Sequence, residues 1–316
     1  MTEAPRSRLV DVAAVEVRRL TKSYGSARGI VDVDLTVGRG QVMGLVGANG
    51  AGKTTLMRTL LDFIRPTTGA ASVLGHDSRS ESVAVRRRTT YLPGELVLPP
   101  RLTGHGAVHR FALARPDLDP ARVSALADRL ELDLSRRVGD LSKGNRQKIG
   151  LVLAFAPSAD LLVLDEPTSG LDPLLQREFA ALVSEAVRDG ATVLLSSHVM
   201  AEVEQIASHV ALMCDGRVVT VDAITAITAA ARRRARAVPR TATQLAGLSA
   251  ALGATPGVTD VHVDGGAVAF SCTGDMDAAI KALAGFPLLS LDVTHADLED
   301  AFFSQYDGPD ATGGSR

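Results

Sequence analysis

From residue 47 the chain reads Gly-Ala-Asn-Gly-Ala-Gly-Lys-Thr, which fits the pattern G-x-x-x-x-G-K-[ST]. Glycines at these positions let backbone N–H groups turn inward around phosphate oxygens, and a helix beginning there adds positive potential. Lys53 can reach terminal phosphates, and the Thr54 hydroxyl can ligate Mg²⁺. The candidate phosphate cradle is therefore Gly47, Ala48, Asn49, Gly50, Ala51, Gly52, Lys53, Thr54 and Thr55. A second group lies 112 positions after Lys53, where the apolar run 161–164 ends in Asp165 and Glu166. A carboxylate at the end of a buried strand, Asp165, can hold Mg²⁺ through water. Its neighbour Glu166 can act on an attacking water as general base or as orienting group. An apolar run ending in Asp-Glu says little alone. Combined with the glycine-rich loop, it points to Mg²⁺-dependent nucleotide hydrolysis or phosphoryl transfer.

These groups need a scaffold of short strands and longer helices. Apolar, β-branched runs at 12–17, 31–37, 42–46, 161–164, 192–196 and 210–213 read as strands, with helices expected at 55–61 and 147–156. This alternation over residues 1–223 is that of an α/β domain. Composition changes near residue 224. An Ala/Arg-rich helix is expected at 223–237 and a helix at 243–252. Strands follow at 258–263 and 267–272 about the turn Asp264-Gly265-Gly266. A helix at 276–284, a strand at 288–293 and a last helix at 296–306 complete a small α+β domain, 224–306, with 307–316 as a disordered tail.

Composition narrows the function classes. The 316 residues are 46% hydrophobic, enough for sizeable cores. Thirty-four basic against 36 acidic residues give a net charge of −2, and only 11 aromatic residues are present, none of them Trp. Neither a broad basic field nor a stacking platform for single strands is present, so nucleic acid is not an expected partner. The longest apolar stretch, 149–156, is eight residues, where a membrane span needs about 20. The start MTEAPRSRLVDV lacks the apolar core of a secretory signal. Cys214 and Cys272 read as small core residues. His105 and His109 share a helix face without a third ligand nearby, so no metal is expected there. Arg86-Arg87-Arg88 reads as a solvated face and the run Arg232, Arg233, Arg234, Arg236 as a solvated helix face. The alternatives are contact with a partner for the first run and anionic lipid for the second.

Between the two phosphate elements stands Leu141-Ser142-Lys143-Gly144-Asn145-Arg146-Gln147. With it, residues 12 to about 222 resemble the ATP-binding-cassette (ABC) ATPases, whose signature here reads Leu-Ser-Gly-Gly-Gln. Six motifs occur in the family's order. Tyr24 resembles the adenine-stacking aromatic, Ser169-Gly170-Leu171-Asp172 the dimer-contact loop, and His198 the switch histidine. The resemblance implies a P-loop NTPase fold, a RecA-like core with helical and antiparallel β subdomains. It implies ATP and Mg²⁺ as ligands, Thr54 and Asp165 as the metal-holding pair, and Lys53, Glu166 and His198 as catalytic residues. It further implies a head-to-tail homodimer in which Ser142 and Gly144 of one copy contact the γ-phosphate bound by the other. Two departures stand out. Gly94 replaces the family's coupling-loop Gln, so either Glu95 beside it substitutes or the Mg²⁺ takes another water, and the signature carries Lys143 and Asn145 for Gly and Gln.

Segments 256–261 and 297–303 resemble the C-terminal accessory domain of export cassettes that pair with a separately encoded ABC-2 type permease. That implies a cytoplasmic motor, peripheral on the inner face of the membrane, for drug-, antibiotic- or lipid-like cargo. Translation-type members carry two cassettes per chain and repair-type members insert a long coiled coil. Here one cassette is present, and Lys53 and Ser142 are 89 positions apart. The alternative is a soluble ABC ATPase not coupled to transport.

Overall fold

A computed structural model describes residues 13–25, 27–230, 232–273 and 275–295. The chain divides into two units, one ending at Asp222 and the other beginning at Ala223.

The first unit opens with β1 (Val15–Tyr24), β2 (Ala27–Val37), β3 (Val42–Val46) and α1 (Lys53–Leu60). There follow β4 (Thr68–Val73), β5 (His76–Asp77), α2 (Ser82–Arg87) and β6 (Thr89–Leu92). A helical stretch comes next, with α3 (Gly104–Ala112), α4 (Pro120–Arg129) and α5 (Lys143–Phe155). The unit closes with β7 (Leu161–Asp165), α6 (Pro173–Arg188), β8 (Thr192–Ser197), α7 (Met200–Ile206), β9 (His209–Cys214) and β10 (Arg217–Ala223).

Six strands form the central sheet, in the order β10-β9-β3-β8-β7-β6. The five from β9 to β6 run parallel. A parallel sheet is covered on both faces, so its strands carry unbroken apolar runs: every residue of β3, β7 and β8 is buried. Leu45, Val163 and Leu194 are wholly buried, each contributing about 1.5–3 kcal/mol of hydrophobic stabilisation. Register pairs Val46 with Ser197 and Asp165 with Ser196. The carboxyl ends of β3, β8 and β7 therefore lie side by side, where open α/β sheets place ligands. The antiparallel sheet β2-β1-β4-β5 stands beside this one in the same unit.

Local sequence sets the helix starts. Ser142 caps α5 by accepting from the Asn145 N–H at 3.2 Å. Asp172 caps α6 by accepting from Leu174 and Leu175, and Pro173 occupies the first turn.

The second unit contains α8 (Ile224–Ala230), β11 (Arg232–Pro239), α9 (Leu245–Gly253), β12 (Val258–Asp264), β13 (Ala267–Thr273), α10 (Asp277–Leu283) and β14 (Leu288–His295). Its strands form an antiparallel sheet ordered β12-β13-β11-β14. Ala235, Ala237, Val268 and Phe270 face a core shared with Leu248, Leu252 and Leu283 of the helices.

Several expectations need correction. The helix expected at 223–237 is a short helix followed by a strand. In β11 Ala235 and Ala237 are buried while Arg234 and Arg236, on either side of Ala235, face the other way, a period of two. Pairing with β13 and β14 overrides the helix propensity of Ala and Arg. Arg234 and Arg236 therefore lie on a strand. The arginine run before β6 is not simply solvated either: Arg86 donates to the Leu61 carbonyl at 3.0 Å and Arg88 to Asp160 at 2.9 Å. Cys272 is buried, whereas Cys214, the last residue of β9, is exposed. Strand β1 starts at Val15 and runs on to Tyr24. Helices α1 and α5 start earlier than expected, at Lys53 and Lys143. The last expected helix, 296–306, the tail 307–316 and the chain start lie outside the described residues. No helix among the described residues is long and apolar enough to cross a membrane.

Candidate functional site

The loop from β3 to α1 forms the floor of the site. Gly47 passes so close to β9 that a Cβ there would lie 2.2 Å from the Met213 carbonyl oxygen. Gly52 takes φ +104, in the left-handed region, at the point where α1 begins. Residues 49–55 and Glu166 line a cavity of about 300 Å³ at this helix start.

Lys53 is buried, and its ammonium folds back over the loop. Nζ donates to the carbonyls of Gly47 at 2.5 Å and Ala48 at 3.3 Å and stands 3.5 Å from Glu166 Oε1. That carboxylate oxygen is itself buried and accepts no hydrogen bond. The Thr54 hydroxyl points the other way, donating to Asp165 Oδ2 at 2.8 Å, with Oδ1 at 3.0 Å. Two hard oxygen ligands thus converge from α1 and from the end of β7. Among the described residues no cluster of three or more His, Cys, Asp or Glu could hold a metal. A Thr hydroxyl with one carboxylate suits Mg²⁺, which keeps several waters and takes phosphate oxygens for the rest of its shell.

Glu166 sits in a strained backbone conformation, φ +48, with its carboxylate at the cavity. Such a conformation costs about 1–3 kcal/mol and persists where the surroundings over-determine it. Two contacts help to do so. The Ser196 hydroxyl accepts from the Glu166 N–H at 3.0 Å, and His198 Nδ1 lies 2.8 Å from Glu166 Oε2. Sequence reasoning gave Ser196 no role. It is wholly buried, and the same hydroxyl donates to Asp165 Oδ1 at 2.7 Å, so one side chain fixes both carboxylate residues. The available signal was a pair of serines directly after the apolar run Val193–Leu195, in a strand buried on both faces. Tyr91 was also missed. Burial, aided by the Asp165 carboxylate, holds its phenol above the ordinary tyrosine range, and Arg58 Nε donates to its hydroxyl at 3.4 Å.

The remaining candidates lie off this cavity. Tyr24, at the end of β1, is 43% exposed, with the Lys22 ammonium 5.0 Å from its ring centroid. Ser142 and Gly144 stand at the start of α5 and do not line this cavity. They are joined instead to the loop that follows Glu166. Gln147 Nε2 donates to the Pro167 carbonyl at 3.1 Å, and Lys143 Nζ lies 3.4 Å from the Ser169 hydroxyl. A Cβ on Gly144 would come within 3.1 Å of the Gly170 carbonyl oxygen. Gly94 abuts Asp165: a Cβ there would stand 3.3 Å from the Asp165 carbonyl and 3.7 Å from Oδ2. Glu95 beside it is exposed.

Residues 30–169 match the ABC transporter family. The chain is similar to the ABC transporter ATP-binding protein NatA of Bacillus subtilis (strain 168), 34% identical over 209 residues, covering 64% of this chain and 85% of NatA. It is also similar to the daunorubicin resistance ATP-binding protein DrrA3 of Streptomyces coeruleorubidus, 36% identical over 214 residues. That match covers 65% of this chain and 67% of DrrA3. A solved ATP-binding subunit of an ABC transporter superposes with a TM-score of 0.63 at 31% identity, covering 68% of this chain and 91% of that one.

Proposed function

The chain belongs to the ABC transporter family of ATP-binding proteins, an ATPase of the P-loop fold, and from that premise we propose the following cycle. Two copies bind ATP head to tail and power an exporter through a separately encoded membrane permease. The observation that carries this reading is the group at the mouth of the phosphate cradle. There Glu166 is held by His198 at 2.8 Å and faced by Lys53 at 3.5 Å.

The backbone N–H groups of the β3–α1 loop surround the phosphates of ATP, and the adenine stacks on Tyr24. Lys53 exchanges its carbonyl and carboxylate contacts for oxygens of the terminal phosphates. Thr54 and Asp165 would hold Mg²⁺, which would supply positive charge against the phosphate oxygens. Ser142, Gly144 and the start of α5 reach the γ-phosphate from the other copy. Glu166, freed from Lys53 and oriented by His198, aligns the attacking water in line with the leaving group. Loss of the γ-phosphate removes the contacts that held the two copies closed, and the pair reopens. The loop at Gly94 and Glu95, next to Asp165, passes this change to the permease. The second unit stabilises or regulates the pair. Docking to a permease makes the chain peripheral on the cytoplasmic face of the membrane. The resistance function named for DrrA3 favours drug- or antibiotic-like cargo.

Steady-state ATPase measurements on wild type, Glu166→Gln and His198→Ala test the site. We expect Glu166→Gln to bind ATP normally and to lose about 10²–10³-fold in kcat, the scale of a removed catalytic group. ATPase equal to wild type in Glu166→Gln overturns the assignment. Purification from detergent-solubilised membranes separates the transport reading from a soluble ATPase: a co-purifying polytopic protein supports transport, and its absence supports the alternative.

A further inference from the structure

Behind the Glu166–His198 pair stands a carboxylate that the chemistry above leaves unused. Glu202 lies in the first turn of α7 and is half-buried. Its Oε2 accepts from Thr168 Oγ1 at 2.6 Å and from Ser197 Oγ at 3.1 Å, and its Oε1 accepts from Gln176 Nε2 at 3.2 Å. Thr168 follows Glu166 by two residues and is buried. Ser197 immediately precedes His198, and its oxygen also accepts from the Val199 N–H at 3.0 Å, so it brackets the histidine on both sides. Gln176 anchors the same carboxylate to α6.

We infer that Glu202 is a positioning residue that keeps Glu166 and His198 in register by tying the loop after Glu166 to the turn that carries His198. The inference rests on the roles proposed above for those two residues. The 2.8 Å contact between them joins two segments leaving different strands, β7 and β8, and one of these starts from a strained residue. Each segment needs an outside anchor to hold that geometry. Glu202 bonds to both. All three of its donors are uncharged, and hydrogen bonds from neutral donors to an ionised carboxylate are stronger and shorter than neutral pairs. None of its bonds involves residues 47–55, so its effect falls on water alignment and leaves ATP binding alone.

The test uses the full chain with Glu202→Ala and Glu202→Gln, measuring steady-state ATPase and equilibrium binding of ATP. Misplacing a catalytic pair costs on the order of 10–100-fold, so Glu202→Ala should lower kcat by about that factor. The Kd for ATP should stay within about twofold, since uniform binding is unaffected. In Glu202→Gln the amide oxygen still accepts from Thr168 and Ser197, and Gln176 can turn its own amide over. That variant should therefore keep kcat within about threefold of wild type. The pair His198→Ala/Glu202→Ala should be no slower than His198→Ala by itself, because both act through one arrangement. A purely structural role predicts a lowered midpoint of unfolding, with kcat losses multiplying those of His198→Ala, and that result overturns the inference. An unchanged kcat in Glu202→Ala does the same. If Glu202→Ala does not accumulate as folded protein, Thr168→Val carries the test: kcat must fall at constant Kd, and an unchanged kcat counts against Glu202. A Glu166→Gln chain with full ATPase removes the assigned roles and this inference together. A normal response to Glu166→Gln with an unaffected Glu202→Ala removes this inference alone.

Discussion

The two sheets that anchor the two units treat polar residues in opposite ways. In the parallel sheet of the first unit, β3, β7 and β8 are covered on both faces, so a polar side chain there has no solvent to turn to. Those at the carboxyl ends, Asp165, Ser196 and Ser197, are all 2% exposed or less, and each bonds to another residue of the candidate site, whereas Thr192 at the start of β8 accepts from the Gly40 N–H. In the antiparallel sheet of the second unit, polar residues alternate with buried ones. Arg234 and Arg236 flank Ala235, while Asp292 and Thr294 stand opposite the arginines on β14. Here polarity follows the pleat. A Ser in the first sheet is therefore a stronger sign of function than an Arg in the second.

Substitutions can break this contrast or sharpen it. The largest effect is expected at Lys53, whose ammonium is buried against the cradle. Lys53→Ala should raise the Kd for ATP by about 100-fold or more, the value of a charge-assisted phosphate contact in a dry site, read by equilibrium nucleotide binding. Next comes Ala237→Asp, which sets an unpaired carboxylate in a wholly buried position of β11. We expect about 3–5 kcal/mol lost from the second unit by denaturant unfolding, with ATP affinity unchanged. Ser196→Ala removes one hydroxyl that serves both Asp165 and Glu166. Leaving buried partners unsatisfied should cost about 1–3 kcal/mol of stability and about tenfold in kcat. Arg236→Ala, on the solvent side of β11, should change stability by less than about 0.5 kcal/mol. A large loss there, or none at Ser196, would erase the distinction between the two sheets.

The smallest effect is a pH dependence. The Arg88 guanidinium holds the Asp160 carboxyl below its ordinary range. A depressed folded pKa contributes stability that is present above the unfolded value of about 3.8 and fades as pH falls toward the folded one. Wild type should therefore lose its advantage over Arg88→Ala as acid is added below about pH 4, followed by thermal unfolding. An advantage constant with pH would contradict the pairing.

Much of the site was legible because its motifs are local. The β3–α1 loop follows from glycine spacing, and the buried run ending in Asp165 and Glu166 from hydropathy. What sequence missed depends on contacts between distant segments. Ser196 meets Asp165 only because β8 lies beside β7, and Glu202 meets Thr168 only because α7 begins near the loop after Glu166. The arginine run of β11 reads as helix in the sequence because Ala and Arg are good helix formers in isolation. Its partners, β13 and β14, lie about 30 to 60 positions further along the chain. The cassette strands were read more accurately, since continuous apolar runs report burial on both faces without knowledge of the partner strand.

In the proposed cycle two copies close on ATP between the loop of one and the signature of the other. Its most direct test is the solution mass of the Glu166→Gln chain, measured by light scattering with and without Mg-ATP. We expect a monomer without nucleotide and a doubled mass with Mg-ATP, abolished by adding Ser142→Arg. A mass that stays monomeric with ATP fully bound would contradict it.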